Sequence, residues 1–187
     1  MFKIAVLAST NGTTLQAIID ELKADKMPGI ELVGVFSNKQ CYAIERAAAQ
    51  GYFTHISATE PEIITALDKQ KPDLIVLVGY MRVLSDEFLA KFPKVINVHP
   101  SLIPKYCGKN FYGQSVHEAV LANNEKETGM TIHFVDQGVD TGQIILQKTC
   151  PVYPNDTAET LKSRVQELEK HWYPEVIRQL ASSSLSS

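Results

Sequence analysis

Cysteine is scarce in this chain, cationic charge is in slight deficit, and no long apolar run occurs. The three cysteines, Cys41, Cys107 and Cys150, are scattered and odd in number, and none has the paired spacing of a zinc site. A disulfide framework and a cysteine-held metal are therefore excluded as organising features, and free thiols fit a reducing cytoplasm. Eighteen Lys and Arg stand against 21 Asp and Glu, a formal net charge of -3, with a pI near 6.0. A surface that neutralises nucleic-acid phosphates needs clustered cations, so no nucleic-acid partner is expected and the partner is expected to be small. No run approaches membrane-spanning length, which excludes a membrane partner by this route, and the opening Met1 to Leu7 is too short for a secretory core followed by a cleavage site. It is read as the first strand. The 187 residues suit one domain, taken as 1–181, followed by a polar tail over 182–187 with the composition of a frayed end.

What is present alternates between strand and helix. Ile4 to Leu7 is a short apolar run. Small polar residues follow from Ala8 to Thr14, and then Leu15, Ile18, Ile19 and Leu22 recur at helical spacing. Such a loop puts backbone N–H groups at a helix N-terminus, where an anion, most often phosphate, is favoured; a plain capped turn is the alternative. The loop lacks the glycine patterns of dinucleotide and nucleoside triphosphate sites. Strands at 31–36, 53–56 and 74–78 alternate with helices at 41–50 and 60–70, and Leu74 to Val78 is apolar enough to be buried on both faces. Gly79 to Leu84 is then a loop at a strand's carboxyl end, and Ser85 caps a short helix over 86–90. Met130 to Val135 and Ile144 to Lys148 read as a hairpin at the sheet's edge. Asp156 and Glu159 have capping-box spacing before a last helix whose buried stripe is Leu161, Val165, Leu168 and Trp172. The expected fold is α/β: a doubly wound, mostly parallel sheet with an antiparallel edge hairpin and a long C-terminal helix.

The stretch Val95 to Ser101 organises the rest. Its apolar strand stops at His99-Pro100, because proline cannot donate to a ladder and keeps the preceding residue extended. Asn97 and His99 then lie on one face at a strand's carboxyl end, where open parallel sheets bind ligands. An amide donor beside an imidazole suits carbonyl chemistry, although either residue taken alone is as readily a packed or capping side chain. Asp140, between Gly138 and Gly142, sits where backbones come close, either in an Asx turn or at a site. Gln166 and Glu169, one turn apart, are either solvated or a polar pair facing a sugar.

Together, Asn97-Val98-His99-Pro100-Ser101 and His133-Phe134-Val135 running into Asp140-Thr141-Gly142 resemble the folate-dependent formyltransferases, over nearly the whole chain. The resemblance implies a Rossmann-like formyltransferase fold. It also implies transfer of a formyl group from 10-formyltetrahydrofolate, a cosubstrate, to the amine of 5-phosphoribosylglycinamide in purine synthesis, with no metal. By the same resemblance, His99 is the catalytic histidine, Asn97 hydrogen-bonds the formyl oxygen, and Asp140 tunes the histidine and helps move protons; with direct attack by the amine, Asn97 and His99 are expected to stabilise the oxyanion, and Coulomb attraction from Asp140 to raise the His99 pKa. Gly12, Thr13 and Thr14 match the phosphate loop, and Gln166 and Glu169 match ribose contacts. Met81, Arg82, Val83 and Leu84 match the pterin cradle, with Val135 to Asp140 giving backbone contacts to the folate.

The chain departs from the family's commonest pattern where Ser57 to Glu62 is short and acidic, and where Cys107 and Gln143 replace prolines. Two other acceptors stay within the same chemistry, a nucleotide sugar and methionyl-tRNA; the latter's enzymes carry an added basic RNA-binding domain that is not expected here. A noncatalytic phosphate-binding module is the reading outside catalysis.

Overall fold

The computed structural model describes residues 1–185; the last two residues of the expected polar tail, Ser186 and Ser187, lie outside the described residues. Seven strands form one sheet in the order β3-β2-β1-β4-β5-β6-β7. These are β1 (Phe2–Ala8), β2 (Ile30–Ser37), β3 (Thr54–Ile56), β4 (Leu74–Val78), β5 (Val95–His99), β6 (Glu127–Phe134) and β7 (Ile144–Pro151). The helices are α1 (Thr13–Lys23), α2 (Tyr42–Ala49), α3 (Glu60–Gln70), α4 (Asp86–Lys91), α5 (Gln114–Ala122) and α6 (Ala158–Leu185). The first five strands are parallel, and β6 and β7 run antiparallel at one end.

The alternation of side chains along each strand splits the core in two. Ile4, Val6, Ala8, Leu74, Val76, Val78 and Ile96 face one layer with residues of α1, α2 and α6; Ala5, Leu7, Ile75, Leu77 and Val95 face the other with α3 and α4. Strand β4 is buried along its whole length, as its near-continuous apolar run requires. The chain leaves β1 toward β2 on one side and returns to β4 on the other, so the strand order reverses between β1 and β4. The crevice beyond their carboxyl ends is where such sheets take ligands.

At α6 the structure replaces the expected cap. The reciprocal pair is Thr157 and Thr160: Thr160 N donates to Thr157 Oγ1 at 3.2 Å and Thr157 N to Thr160 Oγ1 at 2.9 Å. Asp156 instead accepts from Tyr153 N at 2.7 Å and takes both guanidinium nitrogens of Arg164, at 2.6 and 2.8 Å. A doubly paired arginine outcompetes a backbone amide for the carboxylate, which displaces the cap by one residue. Leu161 and Val165 are buried as expected, but Leu168 and Trp172 only flank the core, and Tyr173, Val176 and Ile177 continue the stripe. The helix also runs through Ser182 to Leu185, where a frayed tail is expected; Ser182 and Ser183 donate back to Arg178 O and Gln179 O.

Tyr173 ties this helix to the floor of the crevice. It is wholly buried, and its hydroxyl lies 2.9 Å from Leu77 O and 3.1 Å from Ile96 O, bridging β4 and β5 at the residue before Asn97. Tyr173→Phe keeps the ring but strands a polar contact in the core. We expect a loss of about 1–3 kcal/mol in urea unfolding, the cost of leaving buried acceptors short of a donor. A loss under about 0.3 kcal/mol would show that the ladder alone satisfies both carbonyls.

Candidate active site

Three chain segments meet over the carboxyl ends of β1, β4 and β5 and enclose a cavity of about 960 Å³. The first is the loop from Thr10 to Thr14. Gly12 there has φ 69, and a Cβ on it would sit 2.7 Å from Ala43 Cβ, so only glycine lets the loop turn tightly into α1. The second is Gly79 to Leu84, after β4. The third runs from β5 through Pro100 toward α5, faced by the loop between β6 and β7. Gly12, Thr13, Thr14, Met81, Arg82, Val83, Leu84, Asn97, His99, Val135, Asp140, Gln166 and Glu169, the residues given a role by the resemblance, all line this one cavity, whereas Cys107 and Gln143 do not.

The register of the sheet sets the chemistry. β6 pairs with β5 so that His133 lies opposite Asn97 and Thr131 opposite His99. Asp140 comes back over the strand ends from the hairpin loop, with φ 57. The loop can fold this closely because a Cβ at Gly142 would fall 1.7 Å from Phe134 O. The Asp140 carboxylate spans two imidazoles: Oδ2 lies 3.4 Å from His99 Nδ1 and Oδ1 lies 3.6 Å from His133 Nε2. Gly108 N donates to Oδ2 at 3.0 Å. Carboxamide, imidazole and carboxylate thus converge.

The proton positions follow from the partners. His133 Nδ1 faces Phe134 O at 2.8 Å, so that nitrogen carries a proton. In the neutral ring Nε2 is then an acceptor, and Asn97 Nδ2 is 3.4 Å away. This pairing turns the Asn97 amine toward His133 and leaves it a second N–H to donate. His99 Nε2 lies 2.8 Å from Tyr106 O; a carbonyl only accepts, so Nε2 carries the proton of the neutral ring and Nδ1 is the nitrogen that takes up another beside Asp140.

Burial holds the His99 pKa below its usual 6.5, with Asp140 and the Tyr106 carbonyl pulling it back and His133 adding to the fall. Asp140 pulls the pKa up in the expected direction, but the net shift is downward, because the closed strand end desolvates the ring by more than the carboxylate recovers. Burial would raise Asp140, but the neighbouring His133 and His99 rings and the Gly108 amide, which donates to Oδ2, hold its carboxyl below the usual range.

Glu169 stands beside the first loop, where Thr14 Oγ1 donates to its Oε2 at 3.2 Å. Burial pushes this carboxyl up to about 7, against the Thr14 hydroxyl and the charges of Lys170 and Lys162. At the opposite rim, Arg82 is exposed, and its Nη1 donates to Ala58 O at 2.7 Å. Ser57 in turn bonds the Glu62 carboxylate. The short acidic segment is thereby fastened to the loop after β4. Among the described residues, no three His, Cys, Asp or Glu side chains form a group able to hold a metal.

Several wall residues are missed by sequence reasoning. His133 is legible only as part of a motif, since its placement opposite Asn97 depends on strand register. Tyr106 O and Gly108 N are backbone groups of an irregular loop and leave no side-chain signal. Lys162 could have been found, because it lies four residues before Gln166 on the same helix face.

The formyl transferase family model matches residues 2–177. Phosphoribosylglycinamide formyltransferase of Escherichia coli is 39% identical over 193 residues, covering 97% of this chain and 88% of that protein. The enzyme of the same name from Bacillus subtilis is 38% identical, covering 96% and 95%. Among solved structures, glycinamide ribonucleotide transformylase 1 of Symbiobacterium toebii superposes with a TM-score of 0.90 at 34% identity, over 98% of this chain and 89% of that one. A phosphoribosylglycinamide formyltransferase of Coxiella burnetii, in complex with CHES, gives 0.85 at 39%, over 97% and 88%. With the match running through the strand ends that hold Asn97, His99 and Asp140, the chain belongs to the formyl transferase family.

Proposed function

We propose that this chain transfers the formyl group of 10-formyltetrahydrofolate to the amine of 5-phosphoribosylglycinamide. The observation that carries the reading is the convergence of Asn97, His99 and Asp140 at one end of a cavity whose other end is the Gly12 to Thr14 loop. The acceptor's phosphate sits on that loop at the start of α1, its ribose reaches Gln166 and Glu169, and its amine lies by His99. The pterin takes the side made by Met81 to Leu84 and the backbone of Val135 to Asp140. The free thiols and acidic balance fit a cytoplasmic setting for such an enzyme.

In this reading the neutral amine attacks the formyl carbon and a new C–N bond forms. The carbonyl oxygen gains negative charge, which the free N–H of Asn97 stabilises. His99 takes up the ammonium proton at Nδ1, where the Asp140 carboxylate stabilises the imidazolium, and the proton then passes to the folate nitrogen as its bond to the formyl carbon breaks. The acceptor amine is itself the nucleophile, so Cys107, close to the site, is given no part. Incubating the purified chain with both substrates tests the reading: formylated acceptor and tetrahydrofolate should appear in equal amounts. Formylation of a nucleotide sugar or methionyl-tRNA in its place, or binding of the acceptor without turnover, would overturn it.

Glu169 adds a pH signature. Below pH 7 it is mostly neutral and tolerates a neighbouring phosphate; above, its carboxylate repels the dianion. The KM for the acceptor should therefore rise as pH goes from about 7 to 9, and Glu169→Gln should flatten that rise. A rise of equal size in the variant would assign it to another group.

A further inference from the structure

One wall of the cavity has polar groups that the reaction above does not use. Lys162, Gln166 and Glu169 form a single stripe on α6, and all three line the cavity. Lys162 makes neither a hydrogen bond nor a salt bridge with any described residue. On α5, which packs against α6, is His117, near enough to feel the Lys162 charge; it also lines the cavity and is only 1% exposed. Its Nδ1 is enclosed by protein with no hydrogen-bond partner, which leaves Nε2 as the nitrogen with access to the cavity. Burial, with Lys162 and His99 adding their charge, holds His117 down to about 4, so the ring is neutral and carries one proton. That proton belongs on the nitrogen that can find a partner, and His117 presents an N–H to the cavity.

Lys162 and His117 therefore offer two donors and no acceptor. An ammonium has no lone pair, and the ring's lone pair is sealed on Nδ1. A hydroxyl could accept from both but its own O–H would find no acceptor in the pair, whereas an acceptor-only oxygen is fully matched. Phosphate is such a group, yet its loop lies beside Glu169, seven residues and about 10 Å along the helix from Lys162. His117 lies instead toward the reacting end, within electrostatic reach of His99. What remains between the sugar and the attacking amine is one carbonyl.

We propose that Lys162 and His117 together seat the carbonyl oxygen of the acceptor's glycinamide amide and so determine acceptor specificity next to the reacting amine. The proposal rests on the acceptor assigned above. It gives the cavity a third fixed point between the phosphate loop and the catalytic strand end, which orients the amine toward the formyl carbon.

Steady-state kinetics of the full chain tests it, with wild type, Lys162→Met, Lys162→Arg and His117→Asn compared. Ribose 5-phosphate, which has the phosphate and sugar but no amide, serves as a competitive inhibitor. Lys162→Met should raise the acceptor KM about tenfold or more, as loss of a charged hydrogen bond does. The folate KM and the inhibition constant of ribose 5-phosphate should stay unchanged. Lys162→Arg should recover most of the loss, and His117→Asn should raise the acceptor KM in the same selective way. An unchanged acceptor KM in Lys162→Met, or a weakening of ribose 5-phosphate in step with it, overturns the proposal, the latter by placing the cation on phosphate or sugar. If wild type forms no formylated product, the assignment of the acceptor fails first, before any variant is compared.

Discussion

Asn97→Ala is expected to lower kcat about 10²- to 10³-fold while leaving both KM values within a few-fold of wild type. The reason is where charge develops. In the ground state the formyl oxygen is a weakly basic carbonyl; in the tetrahedral transition state it approaches an alkoxide, and a fixed N–H in a dry pocket is worth far more to the second than to the first. Asn97 has such an N–H because His133 Nε2, 3.4 Å away, orients the amide. His99, expected to share the oxyanion, does not substitute for it, since one ring nitrogen lies on Tyr106 O and the other beside Asp140. Asn97→Asp should be worse than alanine, because a carboxylate would face the growing negative charge. Asn97 is half-buried at the strand's end, so thermal melting of the alanine variant should move little. A kcat loss below tenfold would remove the amide from the account.

Asp140→Asn is expected to cost about 10² in kcat or more, the range for loss of positioned proton transfer, and to alter the pH profile in a defined direction. Burial already holds the His99 pKa below 6.5, and the Asp140 charge is the largest influence opposing it. Without that charge the pKa falls further, so the pH at which His99 becomes protonated must move to a lower value. Asparagine is the informative replacement. It tolerates the φ of 57 at this position better than alanine, and its side-chain oxygen can still accept from Gly108 N, so the loop keeps its shape. Alanine would add loop strain to the chemical loss. The same carboxyl, held low in the folded chain, contributes stability above the unfolded carboxyl pKa that is lost as pH falls through the folded value. Asp140→Asn should therefore flatten part of the acid limb of stability. An unshifted pH–rate profile would separate Asp140 from His99.

The sequence made the sheet legible because the parallel strands other than the three-residue β3 are apolar runs closed by glycine, proline or a polar loop. The break at His99-Pro100 marks a strand end as plainly as Leu74 to Val78 marks a buried strand. The site was legible wherever a side chain and a spacing coincide: Asn97 with His99 two residues on, Gln166 with Glu169 one turn on. It was not legible where position depends on register or on backbone. Nothing local places His133 opposite Asn97, and nothing announces that Tyr106 and Gly108 turn a carbonyl and an amide toward His99 and Asp140. The displaced cap at α6 has a similar origin, since Arg164 reaches Asp156 only after the first two turns have formed. The upward pull of Asp140 on His99 is legible from a motif, whereas the desolvation that outweighs it belongs to the closed fold.

The central claim is that formyl transfer takes place between Asn97 and His99. It is tested most directly by a structure of the chain with 5-phosphoribosylglycinamide and an unreactive formyl-folate analogue. The account predicts the analogue's carbonyl oxygen within about 3 Å of Asn97 Nδ2, at hydrogen-bond distance, the acceptor amine beside His99, and the phosphate on the backbone of Gly12 to Thr14. An analogue carbonyl turned away from Asn97, or a phosphate bound elsewhere in the cavity, would contradict it.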